Sequence, residues 1–295
     1  MEYYHIPVML KEIVNYLQPQ PGDCLVDGTL GGGGYTRVLA KAVGPTGKIL
    51  AIDLDSLALE NFNNNSPEDL RNVSLVQDNF RNLEEIVHDN WGVHQKINGL
   101  VLDLGLSSAQ LADNKRGFSF QQDAPLDMAF GDKSAKSTAE IVNRYRAEEL
   151  AKIFRDYGEE RFPGRIAEAI VSARKQAPIK TTRQLVDIIL KVIPKKFQHG
   201  AIHPATRVFQ ALRIETNEEL DSLKEVLPAA VSLLQPGGKI AVVSFHSLED
   251  RIVKQFFKNN PNLKLLHKKI ITPTAEEIRS NPRSRSAKLR VAEKI

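Results

Sequence analysis

Four consecutive glycines, Gly31 to Gly34, lie between the apolar run Cys24-Leu25-Val26 and the amphipathic stretch Arg37–Val43. Such a run forfeits chain entropy and packs no side chain, so neither a helix nor a strand passes comfortably through it. It suits a turn where a parallel strand feeds a helix and a ligand lies against bare backbone. Spacing narrows the ligand. Thr36 stands where a dinucleotide fingerprint needs its third glycine, and Gly34 where a phosphate-binding loop needs its lysine.

The rest of the chain agrees with that start. Short apolar runs at Cys24–Val26, Lys48–Asp53, Val73–Val76, Gly99–Asp103 and Lys239–Phe245 alternate with helical stretches, the pattern of a parallel sheet covered by helices. About 135 residues separate the fourth run from the fifth, too many for one crossover. A second unit is therefore expected inside the sheet domain. Ala139–Phe154, Arg161–Gln176 and Thr182–Val192 carry apolar residues at helical spacing, with Thr181-Thr182 as a cap and Pro163, Pro178 and Pro194 marking ends. Glu215–Leu234 reads as a returning helix, Gln235-Pro236-Gly237-Gly238 as a turn, and Leu263–Ile271 with Ala287–Ala292 as an edge hairpin around a polar loop. The expected architecture is an α/β sheet domain, residues 1–106 and 214–295, with an all-helical insert at 107–213.

With 42% hydrophobic residues in 295, the chain can bury a large core. No stretch approaches the roughly 18 apolar residues of a spanning helix, and Met1-Glu2-Tyr3-Tyr4-His5 lacks the basic and apolar regions of a signal peptide. A cytoplasmic protein with no membrane partner is expected, and the lone Cys24 fits a reducing compartment. Charge is uneven. Residues 133–213 hold 17 Lys/Arg against 8 Asp/Glu and residues 264–295 hold 9 against 3, leaving −11 for the remainder of a chain whose total is +4. An acidic body with two basic segments fits a polyanionic partner.

Chemistry-bearing residues gather at the expected strand ends. Asp53 closes the second strand, where a carboxylate can accept hydrogen bonds from both hydroxyls of a ribose; Asp55 offers the same, and Asp53 is preferred. Phe80, after the third strand, is placed to pack on a purine. Asp103, followed by Leu104-Gly105-Leu106-Ser107-Ser108, suits either a reacting centre or the cap of a following helix. His203-Pro204-Ala205-Thr206-Arg207 and Ser244-Phe245-His246-Ser247-Leu248-Glu249 are dense clusters, but with no nearby Cys and no H-x-x-x-H spacing, no metal is expected.

These blocks together resemble one family, the bacterial 16S ribosomal RNA cytosine-N4 methyltransferases, nearly end to end. The resemblance is carried by His5-Ile6-Pro7-Val8-Met9-Leu10, the Asp27-Gly28-Thr29 glycine loop, Asp103–Ser108, Arg116-Gly117-Phe118-Ser119-Phe120, Pro125-Leu126-Asp127-Met128, Tyr157-Gly158-Glu159-Glu160, His203–Arg207, Ser244–Arg251 and Ala287-Lys288-Leu289-Arg290. It implies a class I, Rossmann-like methyltransferase sheet with a helical recognition insert. It also implies S-adenosylmethionine held by Gly33, Gly34, Tyr35, Asp53, Phe80, Asp103 and Gln110. Tyr35 stands where the family usually has histidine, so its expected contact is through the backbone. The implied substrate is 16S ribosomal RNA, within the small subunit rather than naked, and both monomer and homodimer stay open.

Transfer from a sulfonium neutralises charge, so alignment supplies much of the acceleration. Cytosine N4 is a poor nucleophile, and an acceptor on its hydrogens would help. Asp103 is the expected acceptor, with Ser107, Ser108 or His246 as partners, but one carboxylate can hardly serve cofactor and base fully, and its place as a cofactor ligand ranks first. Attack at C5 would need a thiolate, and Cys24 lies inside the first strand. A nicotinamide enzyme lacks its third glycine, and a DNA N4-methyltransferase would carry a Pro-Pro tetrad after strand four. An RNA-binding protein that keeps the pocket without turnover remains a further alternative.

Overall fold

The computed structural model describes residues 7–65, 70–107, 110, 111, 113, 115–131, 136–198 and 202–295. It separates into two compact units, Met1–Ser108 with Leu220–Ile295, and Ala109–Glu219. The boundary expected at 213/214 falls inside a helix, Ala205–Asn217, and the second unit continues to Glu219.

The first unit is a seven-stranded sheet: β1 (Cys24–Asp27), β2 (Lys48–Asp53), β3 (Val73–Gln77), β4 (Ile97–Asp103), β5 (Leu234–Ser244), β6 (Leu263–Leu265) and β7 (Lys288–Lys294), in the order β3-β2-β1-β4-β5-β7-β6. The first five strands are parallel, and β7 runs antiparallel between β5 and β6. Helices α1 (Leu10–Leu17), α2 (Gly34–Val43), α3 (Ser56–Asn65) and α4 (Leu83–Trp91) belong to the first half. Parallel strands covered on both faces bury both sets of side chains, which explains their near-continuous apolar runs. Val26, Leu50, Ile52, Leu100 and Leu102 pack into one core cluster, and Leu25, Ile49, Val101, Ala241 and Val243 into another. The order reverses at β1: β2 and β3 lie on one side of it and β4 on the other. The crevice at the carboxyl ends of β1 and β4 is thus the switch point where such sheets take ligands.

Three expectations are corrected. Gln235–Gly238 is not a free turn; it lies within β5 as an irregularity, with the pairing to β4 jumping from Ile97↔Leu234 to Gly99↔Lys239. The stretch 263–292 is not a simple hairpin: β6 is three residues long and the connection carries α12 (Ala275–Ser280). The expected helix Glu215–Leu234 is two helices, α9 (Ala205–Asn217) and α10 (Glu219–Leu233), parted at Glu218, whose φ of 49° is left-handed.

The second unit is helical: α5 (Thr138–Arg144), α6 (Ala147–Asp156), α7 (Pro163–Arg174), α8 (Thr182–Val192) and α9. Ile141, Leu150, Phe154, Ile166, Ile170, Leu185, Ile189, Val208 and Leu212 are its buried apolar face. The single helix expected over Ala139–Phe154 breaks at Tyr145 and Arg146, both extended, because Glu149 turns back to accept from the Arg146 backbone N–H at 2.7 Å. Thr181 caps α8 as expected, accepting from Gln184 N. Arg213 grips Glu219 with two hydrogen bonds of 2.7 and 2.8 Å, pinning the ends of the left-handed Glu218 turn. The remaining helix, α11 (Ser247–Asn259), belongs to the first unit.

Candidate active site

Three strands end in carboxylates around the switch point: Asp27 on β1, Asp53 on β2 and Asp103 on β4. In the sequence Asp27 stands out only as part of a motif, yet it organises the turn. It is fully buried, accepts from Thr36 Oγ1 at 2.7 Å and from Thr29 N at 3.1 Å, and so ties the end of β1 to the first turn of α2. Burial pushes its carboxyl up to about 6. A buried polar residue at a strand end was the available signal, since Asp is rarely buried without a task.

Asp53 holds the glycine turn from the other side. Its Oδ2 accepts from Gly31 N at 2.7 Å and its Oδ1 from Asp55 N at 2.9 Å, and burial raises it to about 6. Each carboxylate oxygen has two acceptor positions, so both retain one for a ligand hydroxyl. Asp55 is committed differently: its side chain accepts from Leu57 N at 3.2 Å at the start of α3. That division favours Asp53 for the ribose.

The glycines play unequal parts. Gly33 is left-handed at φ 72°, and a Cβ there would lie 2.3 Å from the Phe62 ring. At Gly34, the first residue of α2, a Cβ would meet Pro7 at 2.7 Å. Close packing of the turn thus accounts for both. Gly31 is left-handed too, at φ 49°, but a Cβ there would make only ordinary contacts of 3.8 Å with Ser107 and the Thr29 carbonyl. Helix α2 has no side-chain cap at Gly33, and a helix end without one leaves first-turn N–H groups to other acceptors.

Asp103 follows on β4. Its backbone N–H donates to Thr29 Oγ1 at 2.7 Å, linking the turn to the neighbouring strand end, while its Oδ1 is buried without a hydrogen-bond partner. Burial, then the charges of Asp27 and Glu249, raises its carboxyl to about 8, with the Tyr35 hydroxyl pulling the other way. No Lys or Arg pairs with Asp27, Asp53 or Asp103 among the described residues. Tyr35 itself is buried, its hydroxyl donating to the Val8 carbonyl, and its phenol is raised well above normal by burial and by Asp103. Its side chain is therefore a wall behind Asp103.

Tyr35→Phe is expected to raise the Asp103 carboxyl further and to cost about 1–3 kcal/mol of stability, because the Val8 carbonyl loses its donor. Carboxyl titration by NMR and chemical unfolding check the two halves.

Phe80 is half-buried, packed against the core beside Leu102 and facing Gly28, where a Cβ would come within 3.6 Å of it. Ser107 lies against the glycine turn. Ser108 lies outside the described residues, and Gln110 is buried in the second unit. His246 has structural work: it caps α11, with Nδ1 accepting from Glu249 N at 3.4 Å and Nε2 3.1 Å from Glu249 Oε1. Glu249 in turn accepts from Phe245 N at 2.9 Å. His203 likewise accepts from Ala205 N and stacks 4.8 Å from Phe120 in the second unit. Cys24 opens β1 at the end away from Asp27, half-buried rather than buried, its thiol raised by burial.

Residues 2–295 match the MraW methylase family. The chain belongs to that family. Curated relatives are similar throughout: a ribosomal RNA small subunit methyltransferase H of Heliobacterium modesticaldum is 43% identical, covering 100% of each chain. The protein of the same name from Persephonella marina is 45% identical, covering 99% of each. In this MraW-family methylase three carboxylates, a glycine turn and a half-buried Phe80 meet at the sheet's switch point. Among the described residues, no helix is long and apolar enough to cross a membrane.

Proposed function

We propose that this methylase transfers a methyl group to N4 of a cytidine in 16S ribosomal RNA, using S-adenosylmethionine bound at the ends of β1, β2 and β4. The observation that carries the site is the buried, unpartnered Oδ1 of Asp103 beside the glycine turn that Asp53 and Asp27 brace. The names of the full-length relatives carry the RNA class.

The residues fit the donor. Asp53 would receive the ribose, Phe80 the purine face, and the first-turn N–H groups of Gly34 and Tyr35 the carboxylate of the amino acid moiety. When bound, S-adenosylmethionine supplies an electrophilic methyl on a sulfonium. Asp103 would accept a hydrogen bond from the cytosine amine and take up one N4 proton as the N–CH3 bond forms and the CH3–S bond breaks, with Ser107 and Ser108 proposed to orient the base. A carboxyl near 8 serves that purpose only once ionised, and a cation arriving beside carboxyls that no described Lys or Arg neutralises favours ionisation. His246 stays a cap, holding the strand end that neighbours Asp103.

The second unit is proposed to grip RNA backbone while the target base is splayed out. Of the cations on this unit, Arg174 donates to the Val142 carbonyl at 2.7 Å and is structural, whereas Lys175, Lys180 and Arg183 are exposed. Replacing these three with Glu is expected to weaken RNA methylation and flatten its salt dependence with cofactor affinity unchanged. Filter binding across a salt series checks it.

The reading itself is tested by incubating purified protein with methyl-labelled S-adenosylmethionine and small ribosomal subunits, then digesting the RNA to nucleosides. Label in N4-methylcytidine is expected. Label in 5-methylcytidine, or none in RNA, would sink the proposal.

A further inference from the structure

The sheet domain has a basic surface of its own. From His267 to Lys288 the chain holds six Lys/Arg and two Asp/Glu. One of those acids, Glu277, is turned inward, its Oε1 accepting from Met9 N at 2.6 Å. Lys268, Lys269, Arg279 and Arg285 are exposed and form no ion pair with described residues. Lys/Arg heads left unpaired over an ordered backbone are what a phosphate chain recruits, since each contact releases counterions.

The backbone there is ordered by its own bonds. His267 Nδ1 lies 2.8 Å from the Lys269 carbonyl. Ile271 pairs with Leu289 through two hydrogen bonds of 3.1 and 2.9 Å. Thr274 caps α12, and the fully buried Ser284 donates to the Asn281 carbonyl at 2.8 Å. The cations are therefore presented from fixed positions.

Register places this arm beside the reacting carboxylate. Val243 of β5 pairs with Asp103 on one side and Leu289 on the other. Leu289 thus stands two strand spacings, about 10 Å, from Asp103. Arg285 and the Lys268-Lys269 loop lead into Leu289 and its partner Ile271, at the carboxyl ends of the parallel strands.

We propose that the Lys268–Lys288 arm is an RNA-backbone contact, gripping phosphates next to the extruded cytidine independently of the helical unit. It rests on the RNA-methylating reading. An acidic protein surface is the other polyanion such an arm could meet, and its attachment at Leu289, two strands from Asp103, favours the substrate strand.

The test is the triple variant Lys268→Gln, Lys269→Gln, Arg285→Gln, compared with wild type on small ribosomal subunits. The slope of log affinity against log salt should become shallower by about 2, at about 0.7–0.9 for each phosphate no longer held. KM for the subunits should rise about tenfold, with kcat within about twofold and S-adenosylmethionine affinity unchanged. A slope and KM at wild-type values would overturn the arm's role and leave its charge for a protein partner. A fall in kcat without a change in slope would overturn it too, as a structural effect. Wild-type protein that transfers no methyl to the subunits would overturn the underlying reading instead, before any variant is compared.

Discussion

Asp103→Asn is expected to slow single-turnover methyl transfer by about 10²–10⁴-fold at saturating S-adenosylmethionine, the loss usual for a missing acid–base group. Asn is nearly isosteric and keeps the β4 backbone bond to Thr29, so the fold should survive. The pH profile gives a second readout. Burial raises the carboxyl to about 8 in the free protein and the bound cation lowers it from there, so its accepting form grows as pH rises and the wild-type rate should climb from the acid side while the Asn variant stays flat. If the rate of the variant recovers at saturating donor and only affinity has fallen, Asp103 is a cofactor ligand. Rapid-quench measurement from about pH 6 to 9 separates the two.

Asp53→Ala is expected to weaken S-adenosylmethionine binding by about 1.5–3 kcal/mol, roughly 10- to 150-fold, the worth of hydrogen bonds to a charged acceptor. Gly31 N also loses its partner, so a fall in thermal stability should accompany the change. Asp55→Ala should leave donor affinity nearly untouched and loosen the start of α3 instead. Calorimetric titration of both variants decides between the two carboxylates; equal losses would remove Asp53 from the ribose.

Much of the sheet was legible because buried parallel strands write themselves as uninterrupted apolar runs, and because the chain must turn at glycines. Asp53 and Asp103 were found as the polar residues that end those runs. What escaped was set by local bonds with no periodic signature. The break at Tyr145 depends on Glu149 reaching back to Arg146, and Arg is not a residue that announces a cap. Glu218 is left-handed without glycine, held by the Arg213–Glu219 pair that spans it. Asp27 hid inside a motif whose glycines drew attention, although the turn hangs on its bonds to Thr29 and Thr36. His246 reads as chemistry in the sequence, and the structure adds a second task, the cap on α11 through Nδ1, while its buried Nε2 has no hydrogen-bond partner. The position of β7 between β5 and β6 could not follow from chain order.

The most direct measurement is mass-spectrometric mapping of methylated cytidines in 16S ribosomal RNA from cells with the gene, without it, and with the Asp103→Asn allele in its place. One N4-methyl mark should be present in the first and absent or nearly so in the other two. The same mark at full occupancy without the gene would contradict the account.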